Sequence, residues 1–282
     1  MNAVNRWHFP RPDLAQKYLA ILDSGLTQII ALSSPRRTGK TEFVTHDFMS
    51  AVKDRGSFTY YIDFLENEGC PEERIVSSIL RGFQNLPLSL KLKSESLKEF
   101  NAGVSRVNES IENPTITTIT TINQTLMLIR QIHQNDTAKV VMIFDEVQCL
   151  ATKLRFEKVA RALRTFIDKN KKWLSVVFTG SSKNGLKRLF SRKKSAFYYS
   201  VFVLDFPLLG AAYVHHTIKA FNYISPSKIH LSTAFRVFKK VNRNPGEFSK
   251  LIQVLLCEKS GDIEGCLNRH SIKLDTNMCL NK

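Results

Sequence analysis

The sequence lacks the features that mark membrane, secreted and disordered proteins. In a chain of 282 residues the longest fully apolar run lies around Val140 to Phe144, far below the roughly 18 to 20 residues that a membrane-spanning helix needs. The N-terminal stretch has no continuous apolar segment of the secretory type. With 12 Gly and 9 Pro, the composition also excludes collagen-like and low-complexity chains. These absences predict a globular protein that stays where it is made and has no membrane partner.

Cysteine is scarce and irregularly spaced. The five cysteines form no CxxC pair, and an odd number in a chain of this length does not indicate a disulfide scaffold. We therefore expect a reducing, cytoplasmic environment. Cys257, Cys266, His270 and Cys279 offer a Cys₃His set, but their spacings of nine, four and nine match no common zinc pattern. Free thiols are the expectation at these positions.

Acidic residues are few compared with basic ones. The 41 Lys+Arg and 25 Asp+Glu give a net charge of +16, and the segment 151–200, with 14 Lys+Arg and two acids, contributes +12 of it. A patch of this charge attracts polyanions by its field and by counterion release. Nucleic acid is therefore a candidate partner of the 151–200 region. The alternative is a solvated basic face balanced by acids elsewhere or by nucleotide phosphates.

Apolar periodicity predicts helices that alternate with strands, followed by helices alone. The predicted strands are 27–32, 57–64, 139–144, 173–179 and 198–206. The predicted helices are 12–24, 42–53, 72–83, 123–133, 155–169, 209–223, 231–241 and 245–256. This order indicates an α/β fold of three layers with a mainly parallel sheet, followed by a small all-α lid.

The same pattern suggests domain boundaries. We expect a core over 1–206, with an insertion near 86–121 where the sequence is polar and then Thr-rich, and a helical lid over 207–258. The tail 259–282 stays unassigned.

The segment SPRRTGKT fits the P-loop pattern GxxxxGK[ST], except that Ser34 stands at the first glycine position. A predicted strand precedes it and a predicted helix follows it, so backbone amides and a helix N-terminus can surround phosphate groups. Lys40 then reaches the β- and γ-phosphates, and the Thr41 hydroxyl ligates Mg²⁺. The predicted ATP-binding residues are Ser34, Pro35, Arg36, Arg37, Thr38, Gly39, Lys40 and Thr41.

Two acids end the apolar strand VVMIF. Carboxylates at the end of a buried strand are costly unless they hold a cation or activate water. Asp145 is therefore predicted to hold Mg²⁺, and Glu146 to act as the general base on the attacking water.

A second apolar strand ends in small hydroxyl residues. Thr179 and Ser181 are candidates for ordering the water or contacting the γ-phosphate. The alternative is that Ser181 or Ser182 caps the helix that follows.

These motifs resemble those of P-loop ATPases of the AAA+ and STAND type, especially the archaeal-type ATPases and their bacterial relatives. The resemblance rests on PRRTGKT (35–41), DEVQ (145–148), FTGSS (178–182) and NRNPGEF (242–248). It implies Walker A residues at Lys40 and Thr41, Walker B residues at Asp145 and Glu146, and a sensor at Thr179 or Ser181. It also implies that Pro245 opens a lid helix over the nucleotide base.

The sequence departs from the family pattern in two places. Ser34 replaces a glycine, and the 105 residues from Lys40 to Asp145 exceed what a compact core needs, consistent with an insertion. Where the family places an arginine finger, this chain has Arg192, which would reach a neighbouring subunit's nucleotide in a homo-oligomer. The alternative is that Arg192 is one more member of the basic segment.

The sequence therefore predicts an ATPase that uses ATP and Mg²⁺ to drive a conformational or assembly switch and that can act on nucleic acid. Glu146 directly after Asp145 favours water as the phosphoryl acceptor over a small-molecule substrate. The alternative function is a nucleotide-loaded, DNA-binding regulator with slow or no hydrolysis.

Overall fold

The computed structural model describes residues 5–84, 86, 119–133 and 138–269. Within these ranges the chain divides into two compact units. The sheet unit comprises Pro12–Pro35 and Lys40–Phe206, and the helical unit comprises Met1–Arg11, Arg36–Gly39 and Pro207–Lys282, as far as the structure describes them.

The sheet unit is built on five parallel strands. In chain order they are β1 Ile29–Ser33, β2 Phe58–Asp63, β3 Val140–Asp145, β4 Leu174–Gly180 and β5 Phe202–Asp205. Their order across the sheet is β2-β3-β4-β1-β5, so β4 lies between β1 and β3. Because Leu32 pairs with Thr179, and Phe144 with Phe178, the carboxyl ends of these three strands meet at one edge.

Helices cover both faces of this sheet. They are α1 Pro12–Asp23, α2 Lys40–Glu42, α3 Met49–Asp54, α4 Pro71–Gln84, α5 Ile119–His133, α6 Glu157–Lys169 and α7 Lys183–Phe190. Successive residues of a strand point to opposite faces. Ile30 and Leu32 accordingly share a core with α1 and α3, whereas Ile29 and Ala31 share one with α4 to α7. The predicted three-layer α/β fold with a parallel sheet is confirmed.

The two central strands are buried along their whole length. Every residue of β3 and β4 is buried, as is typical of parallel strands covered on both faces. This explains why they read as continuous apolar runs. It also means that Asp145 and Thr179, at their carboxyl ends, are buried polar groups that need partners.

Two predicted elements were wrong in detail. The helix predicted over 42–53 contains a π-helical turn at Phe43–Phe48, where the Thr45 hydroxyl donates to the Thr41 carbonyl at 2.8 Å. The strand predicted over 198–206 is shorter, because Tyr199 lies in a turn with φ of 50° and the strand begins only at Phe202.

The predicted insertion needs a correction at its end. Helix α5 begins at Ile119, four residues before the predicted start at 123, so 119–121 are helical. Leu86, at the start of the insertion, is buried in the core of the sheet unit. The rest of the predicted insertion, 87–118, lies outside the described residues.

The helical unit has its own core. It contains α8 Ala211–Ile224, α9 Leu231–Lys240 and α10 Pro245–Glu258, which agrees with the expected C-terminal helical part. Residues 263–269 are also helical, and Ile263 and Cys266 are buried in the same core. Part of the tail that the sequence left unassigned therefore packs with this unit, whereas His270 and Cys279 lie outside the described residues. Among the helices that the structure describes, none is both long and apolar enough to cross a membrane.

The packing of α4 on β2 leaves no room for a side chain at Gly82. A Cβ there would lie 2.5 Å and 2.7 Å from two ring carbons of Tyr60, which is itself buried. Replacing Gly82 by alanine gains about 1 kcal/mol of helix propensity, but the collision with a fixed ring costs up to about 3 kcal/mol. We expect Gly82→Ala to lower the free energy of unfolding, measured by urea denaturation.

Gly69→Ala is the matched control. Its Cβ would lie no closer than 3.5 Å to the Asn67 side chain, an ordinary contact. We expect a change within about 0.5 kcal/mol. Equal destabilisation by the two variants would contradict the packing argument.

Candidate functional site

The candidate site lies at the carboxyl edge of the sheet, where Lys40 stands near the end of the P-loop segment. The Lys40 side chain is buried, and its ammonium donates to the Ser34 carbonyl at 2.8 Å, the Ser34 hydroxyl at 3.0 Å and the Pro35 carbonyl at 3.1 Å. Burial lowers the pKa of Lys40, while the nearby carboxylates of Glu146 and Asp145 oppose that shift. The cation is thus held by oxygen atoms that an anionic ligand can replace.

Ser34 fits the position where the P-loop pattern has glycine. It is not among the residues with positive φ, so its backbone does not need the conformational freedom of glycine. Its hydroxyl takes part in holding Lys40. The P-loop backbone therefore tolerates serine in place of the first glycine of the pattern.

The middle of the P-loop, Arg36–Gly39, belongs to the helical unit. Arg37 and Gly39 have φ of 61° and 83°, in the left-handed region that costs a residue other than glycine roughly 1–2 kcal/mol. Two contacts within the unit hold this conformation. Arg37 forms an ion pair with Glu247, and Arg11 donates to the Gly39 carbonyl at 2.6 Å.

The NRNPGEF motif forms the start of α10. The Asn244 side chain accepts hydrogen bonds from the backbone N–H groups of Gly246 at 2.9 Å and Glu247 at 3.2 Å, and Pro245 occupies the first turn. The ion pair of Glu247 with Arg37 links this helix start to the P-loop. A contact of Pro245 with the nucleotide base stays a prediction.

Asp145 is the most fully bonded group of the site. Its Oδ2 accepts from the Thr41 hydroxyl at 2.8 Å and the Tyr61 hydroxyl at 2.7 Å. Its Oδ1 accepts from the Glu146 backbone N–H at 3.0 Å and from the Thr179 hydroxyl. Burial, together with the Asp145 charge, raises the pKa of Tyr61, so this phenol remains a donor. The predicted Walker A threonine and Walker B aspartate are therefore in direct contact.

Glu146 is turned towards the end of β4. It has φ of 55°, and its Oε2 accepts from the Ser181 N–H at 3.1 Å, the Ser181 hydroxyl at 2.7 Å and the Gln148 amide. No group of the described residues donates a hydrogen bond to its other oxygen, Oε1. One oxygen thus fixes the side chain while the other remains available to a solvent molecule.

The third motif contributes Thr179 and Ser181. The Thr179 hydroxyl bonds Asp145 and accepts from the Glu146 N–H at 3.3 Å, because β4 lies directly beside β3. Of the two serines considered as helix caps, Ser182 caps α7 by accepting from the Gly185 N–H at 3.1 Å. Ser181 instead belongs to the site.

Sequence reasoning missed two residues of the site, Gln148 and Tyr61. Gln148 holds Glu146 and packs so closely against the following motif that a Cβ on Gly180 would lie 2.5 Å, and one on Gly185 2.7 Å, from its side-chain atoms. In the sequence, Gly180 and Gly185 were the only indication that another side chain packs closely against the FTGSS motif. For Tyr61 the sequence indicated only its place on a predicted strand.

Arg192 is not part of this cluster. It follows α7 and lines a cavity with Lys153, Arg188 and Lys194. No described contact joins it to Asp145 or Glu146. An arginine-finger role towards a neighbouring subunit therefore stays a prediction.

By sequence alone, the chain matches no protein-family model and no curated protein. By structure, it is similar to a Walker-type ATPase of Pyrococcus abyssi, with a TM-score of 0.63 and 15% identity over 96% of this chain and 73% of that one. The chain therefore shares the fold of this Walker-type ATPase, which agrees with the fold that the resemblance of the motifs implied.

Two further solved structures resemble the chain less closely, with TM-scores of 0.48 and 0.45. The Aeropyrum pernix ORC2 protein in ADPNP–ADP complexes has a TM-score of 0.48 and 15% identity over 75% of this chain and 50% of that one. The Aeropyrum pernix ORC1 protein in complex with DNA has a TM-score of 0.45 and 14% identity, over 77% and 52%.

The bonding of Asp145 makes Thr179 a sensitive position. Thr179→Val keeps the shape but removes a hydroxyl donor from a carboxylate that stays buried, so we expect the free energy of unfolding to fall by about 1–3 kcal/mol. Thr125→Val is the matched control, since this buried hydroxyl donates only to a carbonyl of its own helix, at 2.8 Å. Chemical denaturation measures both variants, and equal losses would refute the role assigned to Thr179.

Proposed function

We propose that this protein binds ATP with Mg²⁺ and hydrolyses it, and that the cycle drives a conformational or assembly switch. The observation that carries the proposal is the hydrogen bond of 2.8 Å between Thr41 and Asp145. It joins the two predicted metal-binding residues at the edge where Lys40 and Glu146 also lie.

The donor set of the cluster suits magnesium. Mg²⁺ prefers oxygen ligands and retains several waters, and Thr41 and Asp145 offer a hydroxyl and a carboxylate oxygen already in contact. Bound there, the ion would neutralise charge on the β- and γ-phosphates. Tyr61 and Thr179 keep Asp145 in place by donating to its two oxygens.

Lys40 is proposed to bind the phosphates by exchanging partners. Its ammonium bonds three oxygen atoms of Ser34 and Pro35, and phosphate oxygens would take their place. The loop Arg36, Arg37, Thr38 and Gly39 would supply backbone amides, as its left-handed residues favour in an anion-binding loop.

Glu146 is proposed to take the proton of the attacking water. Its Oε1 receives no hydrogen bond from the described residues, while Ser181 and Gln148 fix the carboxylate through Oε2. A base must lie within hydrogen-bond reach of the proton that it accepts, so the two residues that orient Glu146 set the position of the water. Ser181 is thus a positioning residue in this proposal.

The ion pair of Arg37 with Glu247 supports the switch. Arg37 lies in the loop proposed to bind phosphate, and Glu247 lies in the first turn of α10. A rearrangement of the loop on ATP binding or phosphate release would therefore alter a contact that holds α10. A change of bound nucleotide would thereby alter the contacts of α10.

Steady-state ATP hydrolysis by the full chain with Mg²⁺ tests the proposal. We expect Glu146→Gln to lower turnover by about 10²-fold or more, since it removes the base, while ATP binding is retained. Lys40→Ala should lose both binding and turnover, and it defines contaminating activity. Asp168→Asn, which removes a carboxylate of α6 paired with Arg164 outside the site, is the matched control and should hydrolyse ATP like the wild type.

The outcomes separate the two functions. Turnover by Glu146→Gln at the wild-type rate would refute the role of Glu146. ATP binding without turnover in the wild type, with or without duplex DNA, would support a nucleotide-loaded regulator instead.

A further inference from the structure

The sheet unit contains a groove of about 310 Å³ beside α7. One wall is the segment that follows Glu146, with Lys153 and Leu154, and the other is α7 and the residues after it, with Arg188, Leu189, Arg192 and Lys194. The residues that contact Asp145 and Lys40 do not line it. The groove is therefore separate from the ATP cluster.

The cations of this groove are not neutralised by the rest of the described chain. Lys153, Arg188, Arg192 and Lys194 make no ion pair with any carboxylate that the structure describes. Glu157, the acid on the groove wall, is engaged by Arg161 at 2.6 Å. The groove therefore presents positive charge that lacks an intramolecular counterion, and an anionic partner would complement it.

The groove also has an apolar component. Leu154, which is 90% exposed, lines the groove together with Leu189 and three alanines. A phosphodiester backbone gains nothing from an exposed leucine, and none of the described residues that line the groove is an aromatic on which a base would stack. A peptide that carries both carboxylates and apolar side chains satisfies both features.

We propose that this groove binds an acidic peptide segment of a partner protein. Carboxylates of the segment pair with Arg188, Arg192, Lys153 and Lys194, and one of its apolar side chains packs on Leu154. Charge gives the attraction, and burial of Leu154 distinguishes such a segment from other polyanions.

A segment bound in the groove would affect the position of the Glu146 carboxylate, the proposed general base. The turn Val147–Ala151, which carries Gln148, leads into one wall, and Ser181 directly precedes the cap of α7 in the other. These two residues hold Oε2 of Glu146. A bound segment is therefore expected to change the rate of ATP hydrolysis. This effect on the rate rests on the proposed function, whereas binding of the segment does not.

The test compares two fluorescent peptides of about 12 residues, alternating Glu-Leu and alternating Glu-Ser, by anisotropy with the full chain at near-physiological salt. We expect the leucine peptide to bind about tenfold more tightly, which corresponds to burial of one apolar side chain. Leu154→Ser, at an exposed position, should abolish this preference. Arg188→Glu with Arg192→Glu should weaken binding of the leucine peptide at least tenfold.

Lys169→Glu with Lys172→Glu is the matched control. It makes the same charge change at exposed positions near the end of α6 that do not line the groove, and should alter binding by no more than about threefold. Circular dichroism melts show whether each variant is folded. Equal affinity for the two peptides, or equal weakening by the two double variants, would overturn the proposal.

Two further arms distinguish other occupants. Tight binding of a duplex of about 20 base pairs that is lost in Arg188→Glu/Arg192→Glu, with no binding of the leucine peptide, would assign the groove to nucleic acid and overturn the proposal. Self-association in sedimentation that Arg192→Glu abolishes, again without peptide binding, would assign it to a second copy. Peptide binding needs no ATP turnover, so failure of the ATPase proposal would leave this result intact.

Discussion

The arrangement of the site depends on one buried charge, the carboxylate of Asp145. It is 2% exposed, and a carboxylate so far from water costs several kcal/mol unless donors surround it. Thr41, Tyr61, Thr179 and the Glu146 backbone supply those donors. They come from four different elements of the sheet unit, so satisfying one charge fixes the P-loop helix, β2 and β4 relative to β3.

The strand order is what makes this convergence possible. Because β4 lies between β1 and β3, a polar residue at its carboxyl end stands beside both the P-loop strand and the two acids. The sequence predicted the strands and their polar ends, since burial on both faces produces continuous apolar runs, in which a polar residue stands out. It did not predict which strands are neighbours, and that placement decides that Thr179 bonds Asp145 while Ser181 bonds Glu146.

What the sequence could not predict depends on contacts between distant residues. Gln148 is local to the acids, but its role follows from its packing against Gly180 and Gly185. The ion pair of Arg37 with Glu247 joins residues 210 positions apart, and no local periodicity encodes it. The π-helical turn at Phe43–Phe48 likewise contains a threonine hydroxyl that bonds to the backbone, a feature that apolar spacing does not register.

The distribution of charge shows why a net count alone is a weak guide to a partner. On and just after α6, Arg161, Arg164 and Lys171 are paired with Glu157 and Asp168 at 2.6 to 2.9 Å. Both acids of the basic segment therefore already have partners in ion pairs. Arg188 on α7 and Arg192 and Lys194 beyond it pair with no carboxylate of the described residues, and all three line the groove. Since a field is strongest where opposite charge is absent, the composition identifies the basic segment, whereas the structure shows which of its cations converge on the groove.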